Sequence, residues 1–151
     1  MINTELLRKQ VLLEGLNNEG LARIAGIVRQ ISFKKGEPLF KETDDTRGLY
    51  LIHSGKVEIS RVTADGWRQT LVILPEGHFF GELSILENRK HVATAYALED
   101  TELLLLPKED FDNLMKDDCT LALSIVKRIA ITMSKNLRRM NDKFLSALIS
   151  Y

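Results

Sequence analysis

Phe79-Phe80-Gly81-Glu82-Leu83-Ser84-Ile85-Leu86-Glu87-Asn88-Arg89-Lys90-His91-Val92-Ala93-Thr94-Ala95 is the stretch on which the reading of this chain turns. It opens on an apolar pair, followed by a glycine and an acid. A short apolar turn comes next, then a polar, basic loop. It closes on small and β-branched residues that predict a strand. A glycine ahead of a helical turn lets backbone approach a ligand closely. The unpaired N–H groups of such a turn offer an anion site. Glu82 would repel a phosphate, so its place beside that site suits a sugar hydroxyl, from which a carboxylate accepts hydrogen bonds. Glu82 can equally hold its own loop by accepting from nearby backbone N–H groups.

Outward from this stretch, turn signals alternate with short apolar runs. Ile31 and Phe33 read as a strand, Lys35-Gly36-Glu37-Pro38 as a turn, and Glu42 to Arg47 as a loop closed by Gly48. Leu49-Tyr50-Leu51-Ile52 predicts a buried strand, His53-Ser54-Gly55-Lys56 a tight turn, and Val57, Ile59 and Val62 the next strand. Asp65-Gly66 is a hairpin signal, because it suits the positive φ of a tight turn. Leu71-Val72-Ile73-Leu74 predicts another buried strand, turned by Pro75-Glu76-Gly77 into the central stretch. Val92 to Leu98 and Glu102 to Leu106 are two more strands. Many short strands with glycine turns predict a mainly β fold, an antiparallel barrel or jelly roll.

Helical periods flank the strands. Thr4 is the expected cap of a short first helix. Asn17 and Asn18 are the caps of a second, carrying Leu21, Ile24, Ala25 and Val28, with Gly26 inside it. Lys108 to Met115 is a short helix, and Thr120 the expected cap of a long one reaching Ile149. On that long helix Val126, Ala130, Met133, Leu137, Met140, Phe144 and Ala147 alternate spacings of four and three. That is a heptad seam. Its first turns suit packing on the barrel, and its later turns suit a second copy. The expected division is 1–118 for the barrel with its N-terminal helices and 119–151 for a dimerisation helix of the same domain.

The order Phe-Gly-Glu-Leu at Phe80 to Leu83 resembles the phosphate-binding cassette of cyclic nucleotide-binding domains, of the catabolite-activator and protein kinase A regulatory-subunit type. Gly36, Gly55, Gly66, Gly77 and Gly81 stand where that family places turn glycines, and Leu49 to Ile52 looks like its Tyr-Ile-Ile strand. The resemblance covers roughly residues 12 to 140. It implies ligand contacts at Phe80, Gly81, Glu82, Leu83, Ser84, Val92, Ala93 and Thr94, with Val72 and Leu74 on the barrel floor under the base. It also puts Asn136 of the long helix at the adenine; an Asn there can instead fix helix register. Two positions depart from the pattern. Thr43 replaces the glycine of a Glu-Gly-Asp turn, which reads as a loop variation of little functional weight. The family's phosphate-anchoring arginine falls on His91. A neutral imidazole lacks the fixed charge and planar fork of arginine. The loss of such a charge-assisted bond costs on the order of 1.5–3 kcal/mol, about tenfold to a hundredfold in affinity. Arg89 and Lys90 are the nearby substitutes, or else a solvated basic loop.

Composition narrows the remainder. The length of 151 residues suits one domain with a real core. Lys and Arg total 21, as do Asp and Glu, so no overall field attracts nucleic acid or a membrane. Cys119 is the one cysteine and has no intramolecular partner, which suits a reducing compartment. The N-terminus shows no signal-peptide pattern, and no apolar run is long enough to span a bilayer, so a cytoplasmic domain is expected. His53, His78 and His91 show no metal-ligand spacing, and Ser54 and Ser84 lack a nucleophile elbow, so no metal, no required cofactor and no catalysis are expected. With no recognition helix after Tyr151, DNA is not an expected partner. The resemblance implies a sensor of cyclic AMP, cyclic GMP or a related anion that signals through its C-terminal helix as a homodimer. The rival reading is a ligand-independent dimerisation or interaction module.

Overall fold

The computed structural model describes residues 2–149. Eight strands form two antiparallel four-stranded sheets. In the first the order is β1 (Arg29–Phe33), β8 (Thr101–Pro107), β3 (Gly48–Ser54), β6 (Phe79–Phe80). In the second it is β2 (Pro38–Phe40), β7 (Thr94–Ala97), β4 (Lys56–Val62), β5 (Arg68–Pro75). The helices are α1 (Thr4–Leu7), α2 (Asn18–Ala25), α3 (Glu82–Glu87), α4 (Lys108–Asp117) and α5 (Cys119–Ile149), with a 3-10 turn at Val11–Leu13. The expected mainly β fold with a long C-terminal helix is what the chain adopts.

The first sheet is covered on both faces, which explains its unbroken apolar runs. Successive side chains of a strand point to opposite faces. Leu49 and Leu51 of β3, with Leu104 and Leu106 of β8, pack on one side with Leu21, Ile24, Phe111 and Ile125 of the helices. Tyr50 and Ile52, with Leu103 and Leu105, pack on the other side with Phe40, Val57, Phe80 and Ala95. Register agrees, since Tyr50 lies opposite Leu105 and Phe80.

β5 departs from expectation. It is a strand, but Leu71, Val72 and Ile73 are 55%, 41% and 53% exposed rather than buried. It is an edge strand paired only with β4, so no neighbour covers it. Trp67 at the hairpin is 75% exposed. The hairpin closes through Thr63, whose carbonyl accepts from Gly66 N and whose N–H donates to Trp67 O, with φ 86° at Gly66. This is a three-residue loop of the kind that ends in a left-handed residue.

Helix ends differ from expectation by one to three positions, and Val28 lies beyond the end of α2. Asn3, not Thr4, caps α1 by accepting from Glu5 N. Asn17 caps α2 by accepting from Gly20 N, and Gly26 ends that helix instead of lying inside it. Asp118, not Thr120, accepts from Leu121 N at the start of α5. A short carboxylate just before the first turn is the better acceptor for that N–H. Cys119 is exposed at the same helix start. The last strand before β8 begins at Thr94, two residues later than expected.

α5 has 31 residues and so runs about 46 Å. Leu121, Ala122, Ile125 and Ile129 are buried against the helical side of the core, and Val126 and Met133 pack partly on it. Arg128 fastens this part by an ion pair of 3.2 Å to Glu14 and a bond to Glu14 O. Beyond it, Leu137, Met140 and Phe144 of the seam are 58%, 65% and 65% exposed.

Candidate ligand-binding site

The turn from β6 into α3 sets the geometry. Gly81 has φ 89°, a left-handed conformation suited to glycine. A Cβ at Gly81 would lie 3.0 Å from Gly48 O and 3.3 Å from Tyr50 Cδ2, so the turn is pressed onto β3. Asn88 ends α3 in the same left-handed region at φ 52°, which Asn tolerates. Between these two ends lie Glu82 and Ser84.

Glu82 is half-buried in the first turn of α3. Desolvation pushes its pKa above the usual carboxylate value, and its own backbone N–H offsets this in part. A desolvated carboxylate without a cationic partner is poised to accept a hydroxyl proton. Its own backbone N–H takes part of that carboxylate's acceptor capacity.

His91 does not reach outward as an arginine would. It is 4% exposed. Its ring lies flat on Phe40, with centroids 3.5 Å apart and planes 7° apart. Nδ1 sits 3.0 Å from Ser84 Oγ, and Nε2 is enclosed without a hydrogen-bond partner. Burial lowers its pKa, and the nearby charge of Asp44 offsets this in part. Phe40 also packs on Tyr50 and Phe80, whose rings stack at 5.0 Å. The Tyr50 hydroxyl is likewise enclosed and unpartnered. The interior at the cassette is thus an aromatic stack with neutral polar tips.

The loop before β3 is bound to this stack. Thr43 N donates to His91 O at 2.8 Å, and His91 N donates to Asp44 O at 2.9 Å. Thr43 holds φ 75°, an outlier for a β-branched residue. The loop position that reads as inert in the sequence is strained and clamps the anchor residue. Thr94 Oγ1 accepts from Glu42 N, so that hydroxyl also serves the loop.

Arg89 and Lys90 do not replace the missing arginine. Arg89 pairs with Glu87, and Lys90 lies 4.0 Å from Asp45, with side chains 45% and 68% exposed. The fold gathers Phe80, Gly81, Glu82, Ser84 and His91 around one turn, and Ala93 is buried. Leu83 and Val92 are 44% and 38% exposed at its rim. Val72 lies on β5 opposite Ile59, on the face whose Ile59 and Leu74 pack against the core, and is 41% exposed. Asn136 is half-buried on α5, which packs chiefly on α4 and the 3-10 turn. Phe40 and Tyr50, which complete the aromatic stack, were not legible as site residues.

Two clefts lie elsewhere. One of about 410 Å³ is lined by Glu58, Arg68, Thr70 and Tyr96 among others. Its polar groups satisfy one another: Arg68 pairs with Glu58 at 3.1 Å and lies 3.8 Å over Tyr96, and Thr70 donates to Glu58 at 2.9 Å. The other, of about 350 Å³, includes Ser32, Asp100 and Glu102. Among the described residues no group of three or more His, Cys, Asp or Glu side chains can hold a metal ion.

The profile of the cyclic nucleotide-binding domain matches residues 30–118, more than half of the chain, including the turn of α3 and His91. The chain belongs to that family. The "Cyclic AMP receptor protein" of Thermus thermophilus is 38% identical over 100 residues, 66% of this chain and 46% of that one. The crystal structure of the Thermus thermophilus catabolite activator protein superposes with a TM-score of 0.77 at 32% identity, covering 92% of this chain and 63% of that one. The cAMP-dependent protein kinase regulatory subunit of Dictyostelium discoideum is 26% identical over 113 residues, 73% of this chain and 35% of that one. This cyclic nucleotide-binding domain therefore spans about half of its curated bacterial relative. No helix among its described residues is long and apolar enough to cross a membrane.

Proposed function

We propose that this cyclic nucleotide-binding domain is a non-enzymatic sensor that takes cyclic AMP, cyclic GMP or a related ribose-bearing anion at α3 and signals through α5. Glu82 carries the reading. A half-buried, desolvated carboxylate at a left-handed glycine turn offers what a ribose hydroxyl needs. The proposed contacts are Phe80 to Ser84, His91 to Thr94 and Val72, with Asn136 brought in from α5. The proposed division puts the barrel in 1–118 and a homodimer contact in 119–151. The exposed seam from Leu137 to Phe144 supports a second copy as the partner. A soluble, cytoplasmic setting is part of the proposal.

Thermal shift with each nucleotide tests it. A ligand that binds only the native state at a hundred times its Kd stabilises by about 2.7 kcal/mol. A rise in Tm with cyclic AMP or cyclic GMP supports the sensor. No rise with either at millimolar concentration favours the second reading, a dimerising module without a ligand. One observation supports that second reading: the anchor position is folded inward on Phe40 instead of reaching for a phosphate.

A further inference from the structure

Any anion that enters this site meets no fixed positive charge inside it. Arg89 and Lys90 face Glu87 and Asp45 at the surface. The groups around His91 are few. From α3 comes Ser84, which is neutral; from β2 comes Phe40, without charge; from the 41–47 loop comes Asp44. Arg47 of the same loop is exposed, and its charge is felt at Tyr50. Among the described residues His91 Nε2 is the one buried side-chain nitrogen without a partner, on a side chain 4% exposed.

We propose that the site takes its anion together with a proton: His91 binds an oxyanion only as the imidazolium, with Nδ1 donating to Ser84 Oγ and Nε2 donating to the ligand. This rests on the sensor reading above and specifies its ligand chemistry. One proton passes from buffer or hydronium to the ring for each ligand bound, forming an N–H bond at its unprotonated nitrogen and leaving the conjugate base in solution. The serine hydroxyl turns to accept whichever way it pointed before. Without a ligand the ring stays neutral on Phe40, because burial disfavours the charged form and Asp44 offsets only part of that. Glu82 works the other way: acidification protonates it as well, which takes away the acceptor that the ribose hydroxyl needs. Arginine at this position would bind the same anion with no proton taken up.

The test is calorimetry of cyclic AMP on the full chain at pH 5.5, 6.5 and 7.5, in buffers of different ionisation enthalpy, beside His91→Arg. Proton-coupled binding weakens up to tenfold for each unit of rising pH, and the heat depends on the buffer. His91→Arg loses the weakening with rising pH that the imidazole carries. Equal wild-type affinity at all three pH values overturns the proton coupling and leaves the sensor reading standing. No binding by either chain at any pH removes the sensor reading and this inference with it. Histidine-ring NMR does not depend on the variant folding. Saturating cyclic AMP raises the titration midpoint of His91 and leaves His53 and His78 in place; a binding ligand that leaves the His91 midpoint unmoved refutes the proposal.

Discussion

Replacing Thr43 by glycine tests whether the loop before β3 stores strain against the cassette. Asp44 N donates to Lys41 O at 3.0 Å, so Lys41 to Asp44 form a hydrogen-bonded turn with Thr43 third. A positive φ in that place belongs to turns that favour glycine, and Thr43 holds φ 75°. An L-residue held left-handed costs roughly 1–2 kcal/mol. Glycine relieves that cost but adds freedom to the unfolded chain, which returns about 0.4–1 kcal/mol. The net expectation for Thr43→Gly is a gain of about 0.5–1 kcal/mol. The side chain is exposed, so little packing is lost. In a chain of this size that gain corresponds to a Tm rise of roughly 1–4 °C. Urea denaturation reads it as a higher midpoint with an unchanged slope. Thr43→Asn should recover part of the gain, because Asn tolerates the region, and Thr43→Val none. A glycine variant no more stable than wild type, or a valine variant as stable as glycine, refutes the strain argument.

Tyr50→Phe removes an enclosed hydroxyl without a partner and keeps the stack on Phe80, so stability should hold or rise by up to about 1 kcal/mol; a larger loss in urea melts would contradict this. Glu82→Gln should stabilise the free domain at neutral pH and weaken cyclic AMP binding. The folded state prefers Glu82 protonated, so that stability is present below the carboxylate's usual 4.5 and fades as pH rises through the raised folded value. The variant's advantage should therefore shrink toward pH 4.5, and an advantage independent of pH speaks against the desolvation argument. His91 runs the other way. With its pKa lowered, the unfolded chain binds the extra proton, so Tm should fall as pH drops below about 6.5, and His91→Gln should flatten that limb. Met140→Asp with Phe144→Asp should halve the solution mass to the 17.2 kDa of one chain without lowering the melting temperature of the monomer; a wild type already monomeric at high micromolar concentration removes the dimer.

How far the sequence carries depends on whether a property is local. The runs Leu49 to Ile52 and Leu103 to Leu106 announce strands, and the fold places them where both faces are covered. Leu71 to Leu74 carries the same apolar pattern, yet it stands at an edge. Periodicity reports how apolar a segment is, while sheet order decides what covers it. The Gly81–Glu82 turn was legible because the conformation of glycine and the neighbouring acid are local. The inward stack of His91 was not, because its partner Phe40 lies 51 positions away and is brought there by β2 pairing with β7.

The two departures from the family pattern, Thr43 and His91, read as unrelated in the chain and as one unit in the fold. Each donates a backbone hydrogen bond into the other's segment, Thr43 N to His91 O and His91 N to Asp44 O. A neutral ring at the anchor position can be buried, whereas a guanidinium would demand a counter-charge there. Once buried, the ring holds its backbone close to the loop, and the left-handed turn at Thr43 is held in place by the same two bonds. Strain of this kind persists only where the surroundings over-determine it. His91→Arg should therefore loosen the 41–47 loop, with faster amide exchange at Thr43 as the readout. Thr43→Gly should loosen nothing, because its bond to His91 is made by the backbone. If the arginine variant leaves Thr43 exchange unchanged, the two departures are independent, and the loop strain needs a cause outside the cassette.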